Sequence, residues 1–289
     1  MVLGESGKRY LSWVGSLLAL GGICFVGLRL FESAERLEWR NWPAQTWIIL
    51  GALAIIYGTA NILVVISWRF ILDFLGVDTN WWAALRVYAA SQIARYLPGN
   101  IFHFAGRQVL GAREGWPAIA LAKSSIVELV SLAAAGLLFG ALVLPIITPS
   151  VSFGLSMLSF LVLAACVISV SRFMIAPSIG NALFWHSLFL LVTGLVFVGV
   201  LSTTVTETFG NRLTTLSISA AYILAWLAGL VTPGAPAGVG IREFILLTLL
   251  GGQMPESELL TAIVVGRVVT VGGDAFFYLA SFTPEQNES

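Results

Sequence analysis

The ionisable side chains of this chain sit where they are most expensive. Arg95, Arg107, Lys123, Glu128, Arg242, Glu243, Arg267 and Asp274, together with His103, interrupt sequence that is otherwise apolar. The whole chain is 58% hydrophobic and 10% charged, with a mean hydropathy of +0.92. A charge within a bilayer costs about 2.5–3.5 kcal/mol on insertion scales, so it is expected to have a partner and a task. Arginine donates two parallel hydrogen bonds from a planar fork, which suits phosphate. Arg95, Arg107, Arg242 and Arg267, with His103 between the first two, are therefore the candidate binders of an anionic headgroup. Glu128, Asp274, Glu243 and Lys123 are candidates for balancing that charge or for coupling a proton. The alternative is structural ion pairing, Arg107 with Glu128 and Arg242 with Asp274. For His103 the alternative is a hydrogen-bonded residue of a helix bundle.

These residues are not scattered. Pro98-Gly99 is followed by seven residues and then Arg107; Pro233-Gly234 is followed by seven residues and then Arg242. Around each break lies an arm with helical character, then a second arm. Helix ends leave backbone groups unsatisfied. In hydrocarbon such groups are tolerated only against protein or a wet cavity. The regions 82–112 and 213–252 are thus expected to be re-entrant or broken hairpins, with Pro98, Gly99, Pro233, Gly234, Gly238 and Gly240 at their tips. Helix N-termini beginning there would add free N–H groups and positive dipole ends.

Long apolar runs predict six full transmembrane helices at 11–30, 46–71, 117–144, 152–171, 182–204 and 259–281. A span needs about 20 apolar residues, and no charge occurs from Leu129 to Ser171 or from Phe173 to Thr206. Simple counting, with the hairpins, gives six to eight spans. Trp42, Trp47, Trp68, Trp81, Trp82, Trp116, Trp185 and Tyr278 are read as interfacial markers of helix ends, and His186 beside Trp185 likewise. The expected fold class is an all-α integral membrane protein forming a single membrane domain over 1–289. It divides into half-repeats 1–148 and 149–289, each with three spans and one hairpin. An odd number of spans makes the second half inverted, a transporter signature with substrate near the midplane at the breaks. With the N-terminus inside, Lys8, Arg9, Arg69, Arg86, Arg113 and Arg172 fall on or near the cytoplasmic side and Arg29, Arg36, Arg40 and Arg212 outside, a modest positive-inside bias that favours both termini in the cytoplasm.

Several function classes are excluded or disfavoured. Lys+Arg 15 and Asp+Glu 15 cancel, so there is no basic footprint for nucleic acid. Cys24 and Cys166 provide neither a disulfide framework nor metal-ligand spacing. No zinc-protease, serine-hydrolase or nucleotide-binding motif occurs. No enzyme activity, cofactor or metal is expected.

The stretch Arg95-Tyr96-Leu97-Pro98-Gly99-Asn100-Ile101-Phe102-His103-Phe104-Ala105-Gly106-Arg107 resembles a motif in the transmembrane domain of lysylphosphatidylglycerol synthases and their stand-alone relatives. Pro233-Gly234 with Gly238-Val239-Gly240-Ile241-Arg242-Glu243 is similar to the family's second motif, and Glu128 sits where the family often has an acidic residue. Ala235-Pro236-Ala237 departs from its tighter glycine-rich turn. The resemblance spans about residues 10–281 and implies a lipid-translocating domain without the aminoacyltransferase domain. The expected function is a flippase of the inner membrane. It would move a phosphate-bearing lipid, either an aminoacyl-phospholipid or a polyprenyl-phosphate-linked sugar. The expected partners are membrane lipids. The alternatives are a carrier of a small soluble anion and a non-catalytic partner of a lipid-modifying enzyme or glycosyltransferase.

Overall fold

The computed structural model describes residues 42–96, 102–204, 213–232 and 240–282, and every regular element among them is helical. In chain order they are α1 (Ala44–Phe74), α2 (Trp81–Gln92) continued by a 3-10 turn (Ile93–Tyr96), α3 (Phe102–Arg113), α4 (Ala118–Leu138), α5 (Gly140–Ile147), α6 (Phe153–Val170) with a π turn (Ser171–Ile175), α7 (Pro177–Thr204), α8 (Thr215–Val231), α9 (Ile241–Leu250) and α10 (Glu256–Ala280). Five stretches are long and apolar enough to cross a membrane: Ala44–Phe74, Ala118–Ile147, Phe153–Ile175, Pro177–Thr204 and Glu256–Ala280. They match five of the six expected spans; the sixth, 11–30, lies outside the described residues, as do Pro98, Gly99, Pro233, Gly234 and Gly238. The protein is an all-α membrane protein.

Local chemistry sets the ends of the short elements. The Asn80 side chain caps α2 by accepting from the Trp82 and Ala83 N–H groups. Thr214 and Ser217 form a reciprocal capping box at the start of α8. Before α9, Gly240 adopts φ +87°, a conformation that favours glycine, and its N–H donates to Glu243 Oε2 at 2.8 Å. At about 1.5 Å per residue, the 12-residue α2 and α3 and the 10-residue α9 measure about 18 Å and about 15 Å. Hydrocarbon is about 30 Å thick, so none of the three reaches across alone. Each short arm packs on its chain neighbour, α2 on α3 and α8 on α9. That is the hairpin arrangement expected for 82–112 and 213–252.

The two long central helices, α1 and α7, pack along each other. Around them the pairings repeat with the halves exchanged: α10 lies on α1 as α4 lies on α7, and α2 meets α10 as α8 meets α4. Among the described residues α1, the α2–α3 pair and α4 follow in the order long helix, short pair, long helix, and α7, the α8–α9 pair and α10 repeat that order after the additional long helix α6. A turn at 148–152, with Ser152 capping α6, separates α5 from α6. Pro145, expected to bracket this turn, instead lies inside α5.

Close approach is bought with glycine where α1 and α10 cross. A Cβ on Gly58 would fall 2.5 Å from the Gly273 carbonyl oxygen, and one on Gly273 would fall 2.6 Å from the Ala54 carbonyl oxygen. In lipid, where helix association relies on packing and polar contacts, such small-residue contacts fix the geometry. By contrast α6 turns almost all of its surface outward; only Ser156 is buried on it. Two expected interfacial markers are corrected. Trp68 and His186 are both fully buried, because α1 and α7 are interior and carry these residues on their packed faces.

Replacing Gly273 by Leu should destabilise the protein by about 3 kcal/mol, the upper end for overpacking against backbone. Gly154, which has nothing within 4 Å, should accept Leu with little change. Unfolding in detergent micelles, followed by thermal or denaturant titration, distinguishes the two.

Candidate functional site: a buried arginine cluster beside the two hairpins

The glycine crossing of α1 and α10 fixes the place of the adjoining carboxylate. Asp274, the next residue after Gly273, is carried into the packed interior and is 0% exposed. A buried carboxylate is tolerated only if its lone pairs are met by donors. Arg95 Nη1 donates to Asp274 Oδ2 at 2.9 Å, the Tyr96 hydroxyl donates to the same oxygen at 2.5 Å, and Asn61 Nδ2 donates to Oδ1 at 3.2 Å. Asn61 is itself oriented: its Oδ1 accepts from Gln92 Nε2 at 3.3 Å, and its Nδ2 also reaches the Tyr57 carbonyl at 3.2 Å. Arg95 makes a longer contact to the Tyr57 hydroxyl, 3.4 Å. The network joins α1, the first hairpin and α10, and so ties elements from both halves of the chain.

A second buried pair lies deeper in the first hairpin. Arg107 donates to Glu128 Oε2, and the Tyr88 hydroxyl donates to Glu128 Oε1 at 2.7 Å. The guanidinium is enclosed by rings: Tyr88 at 4.2 Å, Phe104 at 5.4 Å and Trp68 at 5.5 Å. Trp68 Nε1 in turn donates to Ser124 Oγ at 3.2 Å, which anchors the indole to α4. The pair is sealed, with side chains 2% and 1% exposed. His103, one turn before Arg107, is buried, and its Nδ1 has no hydrogen-bond partner among the described residues.

The second hairpin differs. Glu243 accepts the Gly240 N–H and also an Arg267 Nη2 bond of 2.7 Å. That leaves Arg242. It lies over the Trp226 ring at 5.9 Å, its Nε is buried without a partner, and it makes no ion pair among the described residues. It stands within electrostatic reach of Arg267, Arg95, Tyr57 and Tyr222. Arg242 and Asp274 were candidates for an ion pair with each other; instead Asp274 is claimed by the first hairpin and Arg242 is left over. Lys123, expected to balance charge, is exposed on α4 and joins none of these groups, so it is corrected to a surface cation. Its long side chain, six residues inside the helix start, suits an extended path to the headgroup region.

Sequence reading missed Tyr57, Asn61, Tyr88, Gln92 and Trp226. Asn61 and Gln92 carry a readable signal: an amide inside an apolar helix costs free energy unless it bonds something specific. The tyrosines carry none, since an apolar helix accepts tyrosine for its ring alone. Formally, the cluster contains four arginines (95, 107, 242, 267) and three carboxylates (128, 243, 274), a surplus of one positive charge. The chemistry this arrangement supports is the binding of an anion by Arg242, backed by Arg95 and Arg267. The chain matches no protein-family model and no curated protein.

Removing one member of a buried pair leaves an uncompensated charge and costs about 3–5 kcal/mol. Asp274→Ala should therefore destabilise strongly, and adding Arg95→Gln should recover part of the loss. A double-mutant cycle read by thermal unfolding measures that coupling; additive losses would contradict the pairing. Arg107→Gln should destabilise by a similar amount, because Glu128 has no second cation bonded to it among the described residues.

Proposed function

We propose that this protein is a lipid transporter that moves a phosphate-bearing lipid across the cytoplasmic membrane, with the headgroup passing through the arginine cluster. The observation that carries this reading is the surplus arginine. Arg242 is held against the Trp226 ring with no ion-pair partner among the described residues, and an unpaired cation inside a membrane protein is costly. An anion that arrives and leaves satisfies it intermittently, which is what a transport site requires. The resemblance of 95–107 and 233–243 to the two motifs of the lysylphosphatidylglycerol synthase membrane domain supports a lipid over a soluble anion. An aminoacyl-phospholipid and a polyprenyl-phosphate-linked sugar share the phosphate that this site would recognise.

The repeated packing of the two halves supports an inverted-repeat mechanism. In it, α1 and α7 form the shared axis and the hairpins expose the site to each leaflet in turn. Arg69, Arg86, Arg113 and Arg172 fall near one end of the helix bundle, beside the turns that follow α1, α3 and α6. We assign that end to the cytoplasm on the positive-inside tendency. No chemical step is assigned to any side chain, and the protein acts as a carrier rather than an enzyme.

The test is reconstitution into vesicles with a headgroup-labelled fluorescent phosphatidylglycerol, quenched from outside by dithionite. Wild-type protein should expose label from the inner leaflet. Arg242→Gln should slow that exposure by about tenfold, the equivalent of one charge-assisted hydrogen bond, while melting at nearly the same temperature. Unchanged movement in folded Arg242→Gln would sink the assignment. Uptake of a soluble anion with no lipid movement would replace it with the small-anion carrier.

A further inference from the structure

A cavity lies away from the arginine cluster, where α1 ends. The helix stops in a glycine cap: Gly76 adopts φ +73°, its N–H donates to the Asp73 carbonyl at 2.9 Å, and the Val77 N–H donates to the Leu72 carbonyl at 2.9 Å. The buried Val77 side chain holds the turn down. Residues 77–79 are thereby folded back over the last turns of α1. Between turn and helix is a space of about 590 Å³, faced by Ile66, Arg69, Phe70 and Asp73 from α1 and by Asp78 and Thr79 from the turn. Sites for small ligands span about 300–1,000 Å³.

The charges around this cavity are opposite in sign and held apart. Arg69 Nη2 donates to the Thr79 carbonyl at 3.2 Å, and the guanidinium stands over the Trp81 ring at 5.5 Å. Both contacts fix its place, and neither neutralises it. Asp73 Oδ2 accepts from Ser178 Oγ at 2.5 Å, which ties the carboxylate to the start of α7. The Asp78 side chain is exposed and bonds none of the described residues. Arg69 and Asp73 are four residues apart on one helix, a spacing that permits pairing, yet no ion pair joins Arg69 to either aspartate.

One cation and two carboxylates that face one cavity without meeting each other suit a ligand that carries both signs. A phosphate takes the remaining Arg69 donors, and an ammonium group donates to the aspartates. The apolar wall gives the ligand a direction. Ile66 comes first along α1, Phe70 one turn later, and Asp73 at the helix end, so apolar surface leads into charge; both apolar residues are partly exposed. At about 1.5 Å per residue the 31 residues of α1 measure about 46 Å, against about 30 Å of hydrocarbon, so the last turns of a crossing helix reach the headgroup layer. A soluble zwitterion would use the charges and leave Ile66 and Phe70 uncovered. We propose that this cavity binds a zwitterionic phospholipid with a primary ammonium headgroup, its phosphate on Arg69, its ammonium at Asp73 and Asp78, and the start of its chains along Ile66 and Phe70. A quaternary ammonium has no N–H to give the carboxylates, and the Trp81 face that could hold it is taken by Arg69. The site shares no residue with the arginine cluster and does not depend on the transport reading.

The experiment reads apparent affinities from thermal stabilisation of the purified full-length protein in detergent. The probes are dihexanoyl phosphatidylethanolamine, dihexanoyl phosphatidylcholine and free phosphoethanolamine. The two lipids carry the same phosphate and chains, so binding elsewhere on the protein cancels between them. The ethanolamine lipid should bind about tenfold more tightly than the choline lipid, the equivalent of one charge-assisted hydrogen bond. Asp73→Asn combined with Asp78→Asn, which keeps an acceptor for Ser178, should erase that preference. Arg69→Gln should weaken binding of the ethanolamine lipid about tenfold. Asp78→Asn alone, at an exposed turn residue, should reduce the preference and covers the case in which the other variants do not fold. Equal affinity for the two lipids overturns the ammonium recognition, and a preference that survives the aspartate variants overturns its placement here. Unchanged binding in folded Arg69→Gln overturns the phosphate assignment. Free phosphoethanolamine binding as tightly as its lipid overturns the lipid and makes the cavity a site for a soluble zwitterion. No stabilisation by any probe overturns the site.

Discussion

The constraint that organises this protein is the cost of a charge in hydrocarbon. Asp274 is brought to the interior by the contact of Gly58 with Gly273, and everything around it exists to satisfy one carboxylate. Its donors come from α1, α10's partner across the crossing, and from the 3-10 turn at the end of the first hairpin arm. Without Asp274, Arg95 would have no countercharge, and the hairpin arm would lose its main polar tie to the second half of the chain. The glycine contact is thus more than packing: it sets the depth and orientation of the carboxylate, and through it the position of the arginine cluster.

The same cost separates a scaffold from a working part. Arg107 and Glu128 are enclosed by Trp68, Tyr88 and Phe104 and behave as a rigid bolt between the first hairpin and α4. Arg95, Arg242 and Arg267 are not enclosed in this way. Arg242 lies within electrostatic reach of both Arg95 and Arg267, and the three share two carboxylates among the described residues. In the proposed reading, an anion would offset the repulsion between Arg242 and its two neighbouring cations. A transporter needs such a group of residues, stable enough to fold and stable in more than one arrangement.

Much of this was legible in the sequence because lipid imposes simple rules. Five of the predicted spans appear within a few residues of their expected limits, since an apolar run of sufficient length has few alternatives. The short arms 81–96 with 102–113 and 215–231 with 241–250 followed from the Pro-Gly breaks. The identity of the charged set was also readable, as Arg95, Arg107, Glu128, Arg242, Glu243, Arg267 and Asp274 stand out against apolar neighbours. The pairing was readable in part: Arg107 meets Glu128 as anticipated, but Asp274 meets Arg95 rather than Arg242. Spacing along the chain suggested Arg242 with Asp274, but the three-dimensional partner is decided by where α1 and α10 cross, which depends on two glycines whose role only geometry reveals. Lys123 looked equivalent to the others, yet helical phase turns it outward. His186 and Trp68 looked interfacial because aromatic and polar residues favour that zone; the packing of α1 and α7 overrode that tendency.

The central claim is that the arginine surplus beside the hairpins is an anion site for lipid phosphate. Its most direct test is a density map of the protein in nanodiscs rich in anionic phospholipid. A lipid phosphate is expected within hydrogen-bond distance of the Arg242 guanidinium, with Arg95 or Arg267 as a second donor. A map in which Arg242 is paired with a carboxylate of the protein, and lipid phosphate lies only at the membrane surfaces, would contradict the claim.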